Sequence, residues 1–259
     1  MKKSAPRIKL SVVSVNHYFR LVFRSLLFLG SLVCYILSRF RSLRPFLEEI
    51  PAKRVLLLGV WAVFAIEMIF RFFPSRLESP GCQKQFAKNY IKTGETDIQI
   101  ADNNAVVLVA LLWVTLNGII GVCKLMGWLD DGIMLLLCLF YSVCDMVCIL
   151  FFCPFQSWFL KNKCCAACRI YNWDYAMMFT PMFFVKGWYS WSLLAMSVGL
   201  LFRWEITMVQ HPERFSEKTN GYLACANCSE KLCAHKKQLR SLWRHLTDFT
   251  HARLERLRK

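Results

Sequence analysis

Between Ala105 and Cys123 the chain carries no charged residue, and Asn117 is the one strongly polar side chain on the way. That length is close to the ~20 apolar residues with which an α-helix crosses the hydrocarbon core of a bilayer. Water is absent from that core, so each backbone N–H and C=O must find its partner within the segment, which a helix achieves on its own. Comparable runs recur at Leu21 to Ser38, Val55 to Phe73, Ile133 to Cys153 and Tyr175 to Trp204. With 56% hydrophobic residues, the composition is far from that of an ordinary soluble domain. The expected fold is therefore all-α: a polytopic integral membrane helical bundle of four spans plus a re-entrant or fifth apolar segment, followed by a basic cytosolic C-terminal helix.

The runs are not equivalent. Leu21 to Ser38 is marginal in length and is interrupted by Arg24, so it either crosses or lies in the interface. The basic residues before it (Lys2, Lys3, Arg7, Lys9, Arg20) invite a signal-peptide reading, but no small-residue cleavage site follows, and the segment is assigned to the membrane domain. Val55 to Phe73 contains Glu67, either paired with Arg71 one turn on or marking a partner or pathway elsewhere in the bundle. Asn117 is expected to hydrogen-bond a neighbouring helix. Cys144, Asp145 and Cys148 lie on or beside one helix face, which reads as a polar contact between helices ahead of a metal or proton path. Tyr175 to Trp204 exceeds one crossing and falls short of two. Thr180-Pro181 suits the start of a span from Pro181 to Trp204, whereas Lys186-Gly187 suits the turn of a re-entrant hairpin.

Charge orders these segments. The formal net charge is +16, placed mainly in the ends and loops. Residues 1–20 form a basic N-terminal segment, 21–204 the membrane domain with a cysteine loop at 154–174, and 205–259 a cysteine-rich tail. Positive residues favour the cytosolic side, so both termini are expected there, on an inner (cytoplasmic) membrane with anionic head groups as the lipid partner. Four spans and a hairpin satisfy that condition, with the basic stretch from Arg39 to Arg54 as the exception. Within the tail, Leu239, Leu242, Trp243, Leu246 and Phe249 recur at helical spacing among arginines. This predicts a basic amphipathic helix over 236–258 for the membrane surface or a protein partner. No nucleic-acid reading motif accompanies it, and no nucleic-acid partner is expected.

The candidate chemistry lies in the cysteines. Of 13 in the chain, six crowd into two short polar segments: Cys164, Cys165 and Cys168, and then Cys225, Cys228 and Cys233, with His235 nearby. A Cys-x-x-Cys turn brings two sulfurs to one side of the backbone, where they hold a metal ion or cluster iron, or form a disulfide. Cys225, Cys228, Cys233 and His235 suffice for a tetrahedral zinc site. Pooling both groups suits an all-thiolate iron–sulfur cluster, and spacing does not choose between the two metals. Arg169 and Ser229 stand where covalent haem attachment needs histidine, and the five histidines lie at segment edges or in the tail, so no haem is expected.

The leading expectation is thus a metal centre for electron transfer at the cytosolic membrane face. The alternatives are a zinc-stabilised scaffold or assembly factor, a thiol–disulfide exchange protein led by Cys165 or Cys168, and a transporter using Glu67 and Asp145 with Cys144 and Cys148. The chain lacks a glycine-rich phosphate loop, a His-Glu-x-x-His and a Gly-x-Ser-x-Gly, so the corresponding hydrolases have no support.

Overall fold

The computed structural model describes residues 12–39, 52–74, 80–100, 102–160, 168–224 and 227. Among them the chain is helical, without a strand: α1 Val12–Arg39, α2 Ala52–Phe70, α3 Pro80–Gln85, α4 Asn103–Leu125, α5 Asp131–Leu150, α6 Asp174–Phe179 and α7 Trp188–Gln210. Four of these, α1, α4, α5 and α7, are long and apolar enough to cross a membrane. The apolar part of α2 is described from Leu57 to Phe70, and α7 at 23 residues is about 35 Å long. The first helix begins nine residues before Leu21 and reaches 28 residues, which removes the doubt about its length. The expected C-terminal helix at 236–258 and most of the basic stretch from Arg39 to Arg54 lie outside the described residues.

Local chemistry fixes the helix ends. The Asp102 carboxylate accepts from the Asn104 N–H at 3.1 Å and starts α4, and the Asp130 carboxylate accepts from the Ile133 N–H at 2.9 Å and starts α5. Between them, Gly127 takes a positive φ of 79° after the last turn of α4. The Trp128 N–H then reaches back to the Cys123 carbonyl at 3.0 Å and the Gly127 N–H to the Lys124 carbonyl at 3.1 Å, which closes the orphan carbonyls in a Schellman arrangement. Asp130-Asp131-Gly132 is therefore a helix start.

Side-chain contacts give the helices their directions. Tyr18 meets Phe151, Arg24 meets Ser142, and Tyr35 donates to Asp130 at 2.9 Å, so α1 runs antiparallel along α5. Trp61 donates to Ser192 at 2.8 Å while Glu67, further along α2, accepts from Tyr175. After the last segment's short arm (α6, then a 3₁₀ turn over Thr180–Phe184), the chain reverses at Lys186-Gly187 and returns as α7. Phe183 packs on Trp191 near the turn, and Arg169 and Glu205 pair at the open end. Segment 175–204 is thus an unequal hairpin, and the span starting at Pro181 is replaced by one starting at Trp188.

The start of α1, the end of α2, the start of α4, the end of α5 and the end of α7 consequently share one end of the bundle. Residues 83–100 and 211–224 cover that end together. Asn220 Nδ2 donates to the carbonyls of Lys84 and Arg214, both at 2.9 Å, and the Gly221 N–H to Ile91 O at 2.7 Å. Asn172 joins them through Gln85 at 2.7 Å. The outward faces are apolar: Val107, Leu111, Val114 and Ile119 of α4 and Phe19, Leu26 and Val33 of α1 are all exposed. Contiguous apolar surface on that scale is untenable in water and is the expected state of a lipid-facing helix.

Candidate functional site

Two polar clusters sit at the covered end of the bundle, on either side of Asp145. The first is ionic. Arg24, buried at 2% exposure, donates from Nη2 to Glu67 at 2.8 Å and from Nη1 to Asp145 and to the Ser142 carbonyl, both at 3.2 Å. Arg20, one turn earlier, reaches the other Glu67 oxygen at 3.4 Å. The Tyr175 hydroxyl donates to Glu67 at 2.9 Å. Arg71 lies equally deep, ion-pairs with Asp174 at 2.6 Å and covers the Tyr175 ring at 4.7 Å from its centroid. Three guanidinium groups thus meet three carboxylates, and the cluster is balanced in charge. Of the two readings for Glu67, the structure supplies the distant partner: Glu67 pairs across the bundle with α1, and Arg71 pairs with Asp174.

The second cluster is a cavity of about 280 Å³ between α4, α5 and residues of 153–156 and 168–178. Its wall holds Cys144, Cys148, Cys153 and Cys168 together with Asp145 and Asp174, and is otherwise apolar and aromatic. Cys148 stands in the last turn of α5 and hydrogen-bonds through its thiol to Cys153, just beyond the helix end. The Cys153 sulfur also accepts from the Gln156 N–H at 3.4 Å, where the chain widens into a π-helical turn at Phe155–Leu160. Pro154 opens this turn, because the α5 ladder has already ended at Leu150. Cys168, at 4% exposure, enters the same cavity ahead of the 3₁₀ turn Arg169–Trp173.

Of the residues singled out for metal binding, Cys168 is described and lies in this cavity, whereas Cys164, Cys165, Cys225, Cys228, Cys233 and His235 lie outside the described residues. Among the described residues no three His, Cys, Asp or Glu side chains are grouped as a metal site. Glu67 and Asp145 do converge, through Arg24, and Cys144 and Cys148 lie on the cavity side of Asp145. Asn117 donates within its own helix, to the Trp113 carbonyl at 3.0 Å, and accepts from Tyr141 of α5 at 3.5 Å, so the interhelical bond is long.

Sequence reasoning missed three residues here. Arg24 looked like a flaw in an apolar run and Arg71 like a local partner, although two arginines and two acids in separate apolar segments signal a buried exchange of charge. Cys153 was absorbed into the end of a span, although a cysteine five residues after another at a Pro-terminated helix end brings two thiols together. No family model, curated protein or solved structure matches this chain, so its chemistry rests on the placement of these side chains.

Proposed function

We propose that this is a polytopic membrane protein that moves electrons by thiol–disulfide exchange at the covered end of its bundle. The observation that carries the reading is the hydrogen-bonded thiol pair Cys148 and Cys153, with Cys168 lining the same cavity. Cys168 belongs to the Cys165-x-x-Cys168 spacing. When that pair is reduced, one of its thiolates can attack a disulfide held by Cys148 and Cys153. The attack forms a mixed disulfide and expels one inner thiolate; attack by the second outer thiol then completes the transfer of two electrons and two protons and leaves the inner pair reduced. The expected orientation has the covered end and both termini on the cytosolic side, supported by the density of Lys and Arg in residues 1–20 and 205–259. Trapping tests the reading. In Cys168→Ser the Cys165 thiolate should attack a partner protein's disulfide and, with no second thiol to resolve it, stay in a mixed disulfide; absence of any such adduct after acid quench and non-reducing electrophoresis refutes the reading.

A second reading is favoured by the chain reversal at Lys186-Gly187, which brings Cys168 and Ala224, the residue before Cys225, toward the same end. In it, Cys165, Cys168, Cys225 and Cys228, with Cys164, Cys233 and His235 as further ligands, hold an iron–sulfur cluster or a zinc ion, and the basic helix at 236–258 recruits a protein partner or anionic lipid. Elemental analysis of protein purified without chelator decides it. Stoichiometric iron with absorption near ~400 nm supports a cluster, stoichiometric zinc supports the scaffold, and neither metal removes the reading.

A further inference from the structure

We infer that the cavity beside Cys148 and Cys153 is a binding site for a neutral, apolar two-electron acceptor of the quinone class, which oxidises the two thiols to a disulfide. The inference rests on the thiol reading above and adds its oxidant. Four observations converge on that class of ligand. The first is the wall: Trp113, Phe140, Tyr141, Phe155, Met177 and Met178 surround the thiols with flat rings and adaptable thioethers, a lining suited to an aromatic-sized, uncharged ring. At about 280 Å³ the space lies near the lower end of the roughly 300–1,000 Å³ of ordinary ligand pockets.

The second is charge. Both carboxylates in the wall are committed, Asp145 to Arg24 at 3.2 Å and Asp174 to Arg71 at 2.6 Å. The cavity therefore presents no net charge to a ligand, and an ion gains nothing by leaving water for it. The third is access. Phe140 lines the cavity and is also 47% exposed on the outer face of α5, so the site opens where a lipid-borne molecule with an isoprenoid tail arrives from the side. The fourth is the thiol pair itself, which gives an apolar occupant something to react with.

The reaction balances without another reagent. Both S–H bonds break and one S–S bond forms between Cys148 and Cys153. The two electrons and two protons pass to the two carbonyl oxygens of the quinone, which leaves as the hydroquinone. The Tyr141 hydroxyl, held by a long 3.5 Å bond to Asn117, is a donor in the wall that can turn to one of those oxygens.

The test uses the full chain in detergent, reduced, freed of reductant and kept anaerobic. Decyl-ubiquinone serves as the probe because its ring is fully substituted and is not alkylated by thiols, and diamide serves as an oxidant that needs no pocket. Hydroquinone and the Cys148–Cys153 disulfide, read by absorbance and by peptide mass spectrometry, should appear in equal amounts. Cys148→Ser and Cys153→Ser should each abolish both products. Met177→Trp, which fills the cavity, should slow the quinone reaction on the order of tenfold or more while leaving the diamide reaction intact, since one misfitting group in an apolar pocket is worth roughly 10–200-fold. A disulfide formed by diamide but not by decyl-ubiquinone overturns the quinone site and leaves the thiol reading standing. Failure with both oxidants removes both, and quinone consumed equally by the serine variants assigns the reaction to other thiols and overturns the site.

Discussion

The ionic cluster around Arg24 and the thiol cavity share a wall at Asp145 and are built on opposite principles. In the cluster every carboxylate has a guanidinium partner, and no space is left around Arg24 or Arg71, both at 2% exposure. The cavity holds four thiols around a void of about 280 Å³. A charge in a low-dielectric bundle is untenable without a partner, so it dictates which helices meet and in what register. A neutral thiol is nearly as easy to bury as a methylene, so it can stand beside a void and keep its reactivity. One cluster therefore reads as the bolt that holds the bundle, the other as the place where chemistry is done.

Mutations that separate these roles sharpen the contrast. Arg24→Leu takes the guanidinium from Asp145 and leaves Glu67 to Arg20 and the Tyr175 hydroxyl, and is expected to destabilise the protein by about 3–5 kcal/mol, read as a fall in Tm in detergent. Adding Glu67→Gln and Asp145→Asn should recover much of that loss, and equal Tm values for the single and triple variants would show that the cluster is not a charge-balanced unit. Gly121→Leu comes next. A side chain at Gly121 would run into the Phe184 ring, which must move aside, for about 1–3 kcal/mol. Phe184→Ala in the same chain should relieve it.

At the cavity the order of effects inverts. Cys148→Ser or Cys153→Ser should change stability by less than ~1.5 kcal/mol, the range of near-isosteric swaps, yet remove all disulfide formation at this site. A large stability loss with thiol chemistry retained elsewhere would make these cysteines packing residues. The smallest effect is expected at the open end of the hairpin. Arg169→Gln removes a partly exposed pair with Glu205 worth ~0–1 kcal/mol, and salt should weaken the wild-type pair in parallel.

How much of this was legible depends on the range over which each feature is decided. The span at Ala105 to Cys123 announces itself because membrane crossing is a property of one segment, and Asp102, Asp130 and Gly127 could be recognised as helix punctuation. The doubt over α1 came from Arg24, and it dissolves once the guanidinium has Glu67 and Asp145, 43 and 121 positions away in sequence, as partners. The hairpin turn at Lys186-Gly187 was one of two readings, since a local pattern does not reveal which arm packs on which. Cys168 was singled out from its spacing, as a metal ligand or exchanging thiol. Its neighbours Cys144, Cys148 and Cys153 were not grouped with it, because only the tertiary structure brings Cys168 to the cavity at the end of α5.

The amino-acid order by itself determined that this protein is a set of apolar helices: in lipid each helix must satisfy its own backbone, so the rule acts within one segment at a time. Which helices touch, where Arg24 and Arg71 find their carboxylates, and how four separated cysteines come to border one cavity were decided by tertiary structure. Charge pairing and packing act across the bundle between residues whose distance along the chain carries no information about their distance in space.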